Sequence, residues 1–144
     1  MKLFEEYKLS QDADAIASVF IKLLFDIANV NSPDVLAKPK DVEIVNDEEK
    51  GKVTLLYDDT ENYFFITLDR RHNEYLDVNV KKWFFDSSYD LPFKRFTDYL
   101  SSISFEEDEM EMRRDMMEEI YHYKIKWNEI NKIRKKVISN KFGL

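Results

Sequence analysis

Residues 41–82 read DVEIVNDEEKGKVTLLYDDTENYFFITLDRRHNEYLDVNVKK, and their apolar positions recur with a period of two. Val42 and Ile44, then Val53, Leu55 and Tyr57, then Phe64, Ile66 and Leu68, then Leu76, Val78 and Val80 each mark one side of a strand. Successive side chains of an extended chain point to opposite faces, so such sets share a face. The connections, Asp47 to Gly51, Asp58 to Asn62 and Arg70 to Glu74, are short and polar. They suit hairpins and leave no room for crossover helices. This stretch predicts a four-stranded antiparallel meander.

Toward the N-terminus the period becomes helical. Ile16, Phe20, Leu23, Ile27 and Val30 recur at spacings of three and four, which predicts a helix over about 11–29 with Ser10 as its cap. Asn31-Ser32-Pro33 ends it, and Pro33 to Ala37 fit one more short turn before Pro39. Toward the C-terminus, Asp90-Leu91-Pro92 opens a short helix to about Ile103. Ser104 stands three residues before Glu107, a capping-box spacing, and Met112, Met116, Ile120, Tyr123, Trp127, Ile130 and Val137 form a helical stripe. These predict one long helix to about Asn140. The fold class expected is α+β, a single domain over 1–144, with the first and last helices packed together on the sheet.

Composition agrees with a folded domain: 44% hydrophobic residues, eleven Phe, eight Tyr, two Trp, and only two Gly and three Pro. The absence of cysteine excludes disulfides, thiolate catalysis and thiolate metal sites. Acidic residues in the opening MKLFEE argue against a signal peptide, and Ser18, Lys22 and Asp26 interrupt the longest apolar stretch. A cytoplasmic protein with no membrane association is expected. Abundant Phe, Tyr, Ile, Asn and Lys point to AT-rich codons, as in a low-GC bacterium or its phage.

Charge is unevenly divided. Residues 122–144 hold seven basic residues and one acid, a net +6, while residues 1–121 carry −13. On a continuous helix Lys124, Lys132, Lys135 and Lys136 share one solvent arc, a candidate nucleic-acid surface. The same order of acids first and lysines last also matches any helix dipole. Asp47, Glu48 and Glu49 crowd the first hairpin loop and Asp58, Asp59 and Glu61 the second, giving two acidic tips for steering toward a basic partner. Trp83, Phe85 and Tyr89 form an aromatic corner suited to a partner or to a second copy of the chain. Val45, Leu56, Tyr63, Phe65 and Tyr75 make the second face of the strands more apolar than a solvated face requires.

Catalytic patterns are lacking. His72 and His122 have no metal-binding spacing, no GxSxG elbow occurs, and two glycines cannot build a phosphate loop. Asp58, Thr60, Asn62 and Asp69 copy calcium-loop spacing, but Tyr63 stands where the sharp turn needs glycine. The function expected is therefore a non-enzymatic protein-binding or inhibitory protein without cofactor, of the toxin-immunity, phage anti-defence or effector-chaperone kind. The alternatives are a nucleic-acid-associated regulator using the lysines, and a small hydrolase whose carboxylates meet His72 or His122 in space.

Overall fold

A computed structural model describes residues 12–28, 41–113 and 118–138, with backbone only for 107–113 and 138. The order is α1 (Ala13–Ala28), β1 (Glu43–Asp47), β2 (Lys52–Asp58), β3 (Asn62–Asp69), β4 (Tyr75–Phe84), α2 (Asp90–Ile103), β5 (Glu106–Arg113), β6 (Glu118–Lys126) and α3 (Trp127–Ile138). All strands join one antiparallel sheet in the order β1-β2-β3-β4-β6-β5. The α+β class and the meander stand as expected, and the sheet has six strands instead of four.

The extra pair corrects the long terminal helix expected from Ser104 to Asn140. Glu118–Lys126 alternates as strictly as the meander: Tyr121, Tyr123 and Ile125 face one way, Ile120, His122 and Lys124 the other. Tyr and Ile favour a pleated, half-buried surface. The open edge of β4 supplies the deciding term, setting Leu76 opposite Ile125, Val78 opposite Tyr123 and Val80 opposite Tyr121. Ser104 is no capping box. Its hydroxyl accepts from the Lys124 N–H at 3.0 Å and donates to the Glu106 carbonyl at 2.6 Å, tying the end of α2 to β5 and β6.

The three described helices pack on one face of the sheet. The core joins Ile16, Phe20, Leu23 and Leu24 of α1, Phe93, Phe96 and Leu100 of α2, and Trp127, Ile130 and Ile133 of α3 to the inward strand residues. Helix α1 meets α3 as expected, but Ile120, read from the sequence as part of the terminal helix's apolar stripe, lies on the far face of the sheet. Asp12 caps α1, accepting from the Ala15 N–H at 3.0 Å. Ser10, the cap expected from the sequence, lies outside the described residues, as do the turn at 33–37 and Met116.

Gly51 closes the β1–β2 turn with φ +62°, a left-handed conformation that glycine adopts without steric cost. A β-carbon there would stand 2.5 Å from Cγ of Arg71. The turn is thus shaped to the neighbouring β3–β4 connection, whose Arg70 N–H donates to the Gly51 carbonyl at 3.0 Å.

Candidate partner-binding site

Antiparallel neighbours send consecutive turns to opposite ends of the sheet, so the two acidic loops are separated by the length of β2. At the first tip Glu48 accepts from Arg70 at 2.8 Å, and the Asp47 side chain accepts from the Lys50 N–H at 3.2 Å. Arg71 clamps Asp69 beside it, with bonds of 2.9 and 2.6 Å. Glu49 is exposed on the same turn. This tip carries its own cations.

The second tip differs. Asp58 accepts from the Thr60 N–H at 2.9 Å, and Asp59 accepts from the N–H groups of Glu61 (3.0 Å) and Asn62 (2.6 Å) and from the Tyr57 hydroxyl (2.8 Å). Burial alone would raise the Asp59 pKa, but these donors outweigh it and hold the carboxyl below its ordinary value. The bonds fold the turn over Thr60, whose φ of 75° is unusual for a β-branched residue. Glu61 is left exposed. Among the described residues none of Asp58, Asp59, Glu61 and Asp86 forms an ion pair.

This tip is fastened to the aromatic corner. The Phe85 N–H donates to the Glu61 carbonyl at 3.2 Å, and the Asp86 N–H donates to the Asn62 side-chain oxygen at 2.9 Å. Phe85 has left the strand and is 71% exposed. The remaining corner residues part company, because neighbours on a strand point to opposite faces. Trp83 lies on the helix-free side, its ring 6.3 Å from that of Tyr63. Tyr89 lies on the helix side, edge-on to Phe84 at 5.3 Å. The expected triple of Trp83, Phe85 and Tyr89 is therefore not one surface.

Beneath Phe85 a cleft of about 550 Å³ opens between β4, the start of β6 and α2. Phe84, Phe93 and Tyr121 supply its apolar walls. Lys82 stands inside, 2.5 Å from Glu119 and 3.5 Å from Asp90, with its ammonium 5.0 Å from the centre of the Phe84 ring. Burial, and then the nearby carboxylates of Glu119, Asp98 and Asp90, push the Tyr121 hydroxyl up to about 12. Lys82, Asp90 and Glu119 meet only through the β4–β6 register and the placing of α2, and no sequence spacing signals them. Asp86 was readable: Asp-Ser-Ser is a turn-capping pattern, and its carboxylate accepts from Ser88 N–H at 3.0 Å.

On the helix-free face Tyr63 packs on Phe65, with centroids 5.2 Å apart, and its hydroxyl donates to Glu118 at 2.5 Å. His122 pairs there with Asp77. His72 stacks on Tyr75 at 4.4 Å in the β3–β4 turn, so the two histidines belong to different clusters. Among the described residues no group of three or more His, Asp or Glu is placed to hold a metal ion, and no helix is long and apolar enough to cross a membrane.

The expected lysine arc is broken. Lys124 belongs to β6, where it lies 3.4 Å from Glu106 and over the Tyr75 ring at 5.5 Å. Lys132, Lys135 and Lys136 are exposed on α3, with Lys132 3.2 Å from Glu129. A strand separates what a continuous helix would have aligned. No family model, no curated protein and no solved structure matches this chain.

Proposed function

We propose that this chain acts without catalysis, by binding a basic surface of another protein, as an inhibitor, an immunity protein or an effector chaperone does. One observation carries the reading: an exposed Phe85 is fastened to the turn that bears Asp58, Asp59 and Glu61 and is followed by Asp86, carboxylates that make no ion pair among the described residues. An apolar anchor beside unneutralised charge combines the two contributions that interfaces use. The aromatic gives affinity once desolvated, and the charge gives rate and selectivity. The opposite tip, balanced by Arg70 and Arg71, lacks that combination.

The test is zero-length carbodiimide coupling of the tagged chain in its source cells, which joins carboxylates to lysines in direct contact. The expected result is one protein adduct through Glu61 or Asp86 that disappears in a Phe85→Ser, Glu61→Lys variant of unchanged circular dichroism. Equal recovery of the adduct from that variant would refute the site.

Nucleic acid is the second reading, favoured by the exposure of Lys132, Lys135 and Lys136 on one helix. It requires binding that weakens with salt, each phosphate contact adding about 0.9 to the log–log slope.

A further inference from the structure

The cleft under Phe85 has an occupant chemistry of its own. Its walls are the rings of Phe84, Phe93 and Tyr121, and its volume of about 550 Å³ lies within the range of sites that enclose small groups. Its lip carries an exposed aromatic as well, Phe85. The charges around it are mainly negative. Glu119 lies inside and Asp90 at the mouth, with Asp86 next to Phe85 in the chain and Glu61 on the adjoining turn, against Lys82 and Lys94. Lys94 is already paired with Asp98 at 2.9 Å. Lys82 demonstrates what the cleft holds, since two carboxylates and one aromatic face bind its ammonium.

Resting on the reading of a protein partner, we infer that this cleft receives a short segment of the partner in which an apolar side chain adjoins a lysine or arginine. The apolar group enters between Phe84 and Tyr121, and the cation lies at the mouth beside Asp90 and Asp86. Charge complementarity selects this occupant. One lysine, Lys82, is shared by Asp90 and Glu119, while Asp86 and Glu61 make no ion pair among the described residues. An acidic segment would therefore be repelled, and a purely apolar one would leave that charge uncompensated.

The experiment titrates the ¹⁵N-labelled full chain with a synthetic peptide of about a dozen residues alternating arginine with leucine or phenylalanine. Saturable amide shifts at Phe84, Phe93, Thr97 and Tyr121 are expected. Peptides with glutamate replacing arginine, or serine replacing the apolar residues, should not bind. Asp90→Lys, which reverses the charge that meets the cation, and, independently, Lys94→Trp, which lays a ring across the mouth, should each weaken binding about tenfold.

Shifts confined to 58–62 and 86, with the cleft residues unmoved, would overturn the cleft while leaving the partner reading intact. Absence of binding by every peptide would overturn it too. So would a dimer in sedimentation that Lys94→Trp dissociates, which would assign the cleft to a second copy. Peptide binding that appears only after residues 139–144 are deleted would assign the cleft to the chain's own terminus, and would overturn the inference equally.

Discussion

The indole N–H of Trp127 donates to the carbonyl oxygen of His72 at 2.9 Å, joining the first residue of α3 to the β3–β4 turn. Trp127 is 3% exposed and its backbone N–H donates to Glu74 at 3.3 Å, so the chain's change from strand to helix is anchored there twice. Trp127→Ala should destabilise the fold by about 3–5 kcal/mol, the cost of emptying a large aromatic core site. Trp127→Phe keeps most of the burial and should cost about 1 kcal/mol for the lost bond, plus a smaller packing loss. Urea unfolding measures both, and a loss below about 1 kcal/mol for the alanine variant would contradict the burial of this residue.

Gly51→Ala should be costly at a position where alanine usually is not. Its φ of +62° disfavours any β-carbon, and Cγ of Arg71 would lie 2.5 Å away. A loss of about 1–2 kcal/mol is expected, with further weakening of the Arg71–Asp69 clamp. A neutral result in thermal unfolding would mean that the β1–β2 turn relaxes freely.

Acid should act through Asp59 and Asp69. Both carboxyls are held below their ordinary values although burial opposes it, Asp59 by the Tyr57 and Asn62 donors and Asp69 by Arg71. A depressed folded pKa contributes stability that is fully present above the unfolded value near 4 and is lost as pH falls through the folded one. Asp59→Asn and Asp69→Asn should therefore flatten the decline of stability below about pH 4. Denaturant midpoints across an acid series read this directly, and an unchanged slope in both variants would sink it.

Alkali should act through Tyr121. Its hydroxyl is raised to about 12, first by burial and then by Glu119, Asp98 and Asp90. That contribution is complete below the unfolded value near 10 and is lost as pH rises through the folded one. Phenolate absorbance should show tyrosines titrating late in the folded protein, Tyr57 and Tyr99 among them, and Tyr121→Phe should reduce that late component by one group and lessen the alkaline loss of stability.

Partner association should distinguish the two tips. Glu61→Gln with Phe85→Ser should slow association markedly at low salt, whereas Glu48→Gln with Glu49→Gln should change it little, because Arg70 already offsets that tip. Asp58 and Asp59 are unsuited to the test, since their carboxylates build the turn itself. Equal effects at both ends, followed by stopped-flow kinetics, would reduce the charge to a general property of the surface.

The meander was legible because its information is local. Val53, Leu55 and Tyr57, or Phe64, Ile66 and Leu68, alternate over single strands, and the polar turns between them admit only hairpins. The first helix and the α2 segment were legible on the same grounds, from apolar spacing and an early proline. Residues 104–138 were not. Ile120, Tyr123, Trp127 and Ile130 satisfy a helical period, while Tyr121, Tyr123 and Ile125 satisfy a strand, and an acid-to-base gradient favours the helix. The free edge of β4 settled that contest, since pairing with Leu76, Val78 and Val80 stabilises only the extended form. The site follows the same division. The sequence alone determined which residues were acidic, aromatic or basic. Only tertiary register decided that Lys124 leaves the lysine group and that Phe85 joins one acidic turn and not the other. Long-range hydrogen bonding fixes those relationships, and no local period encodes them.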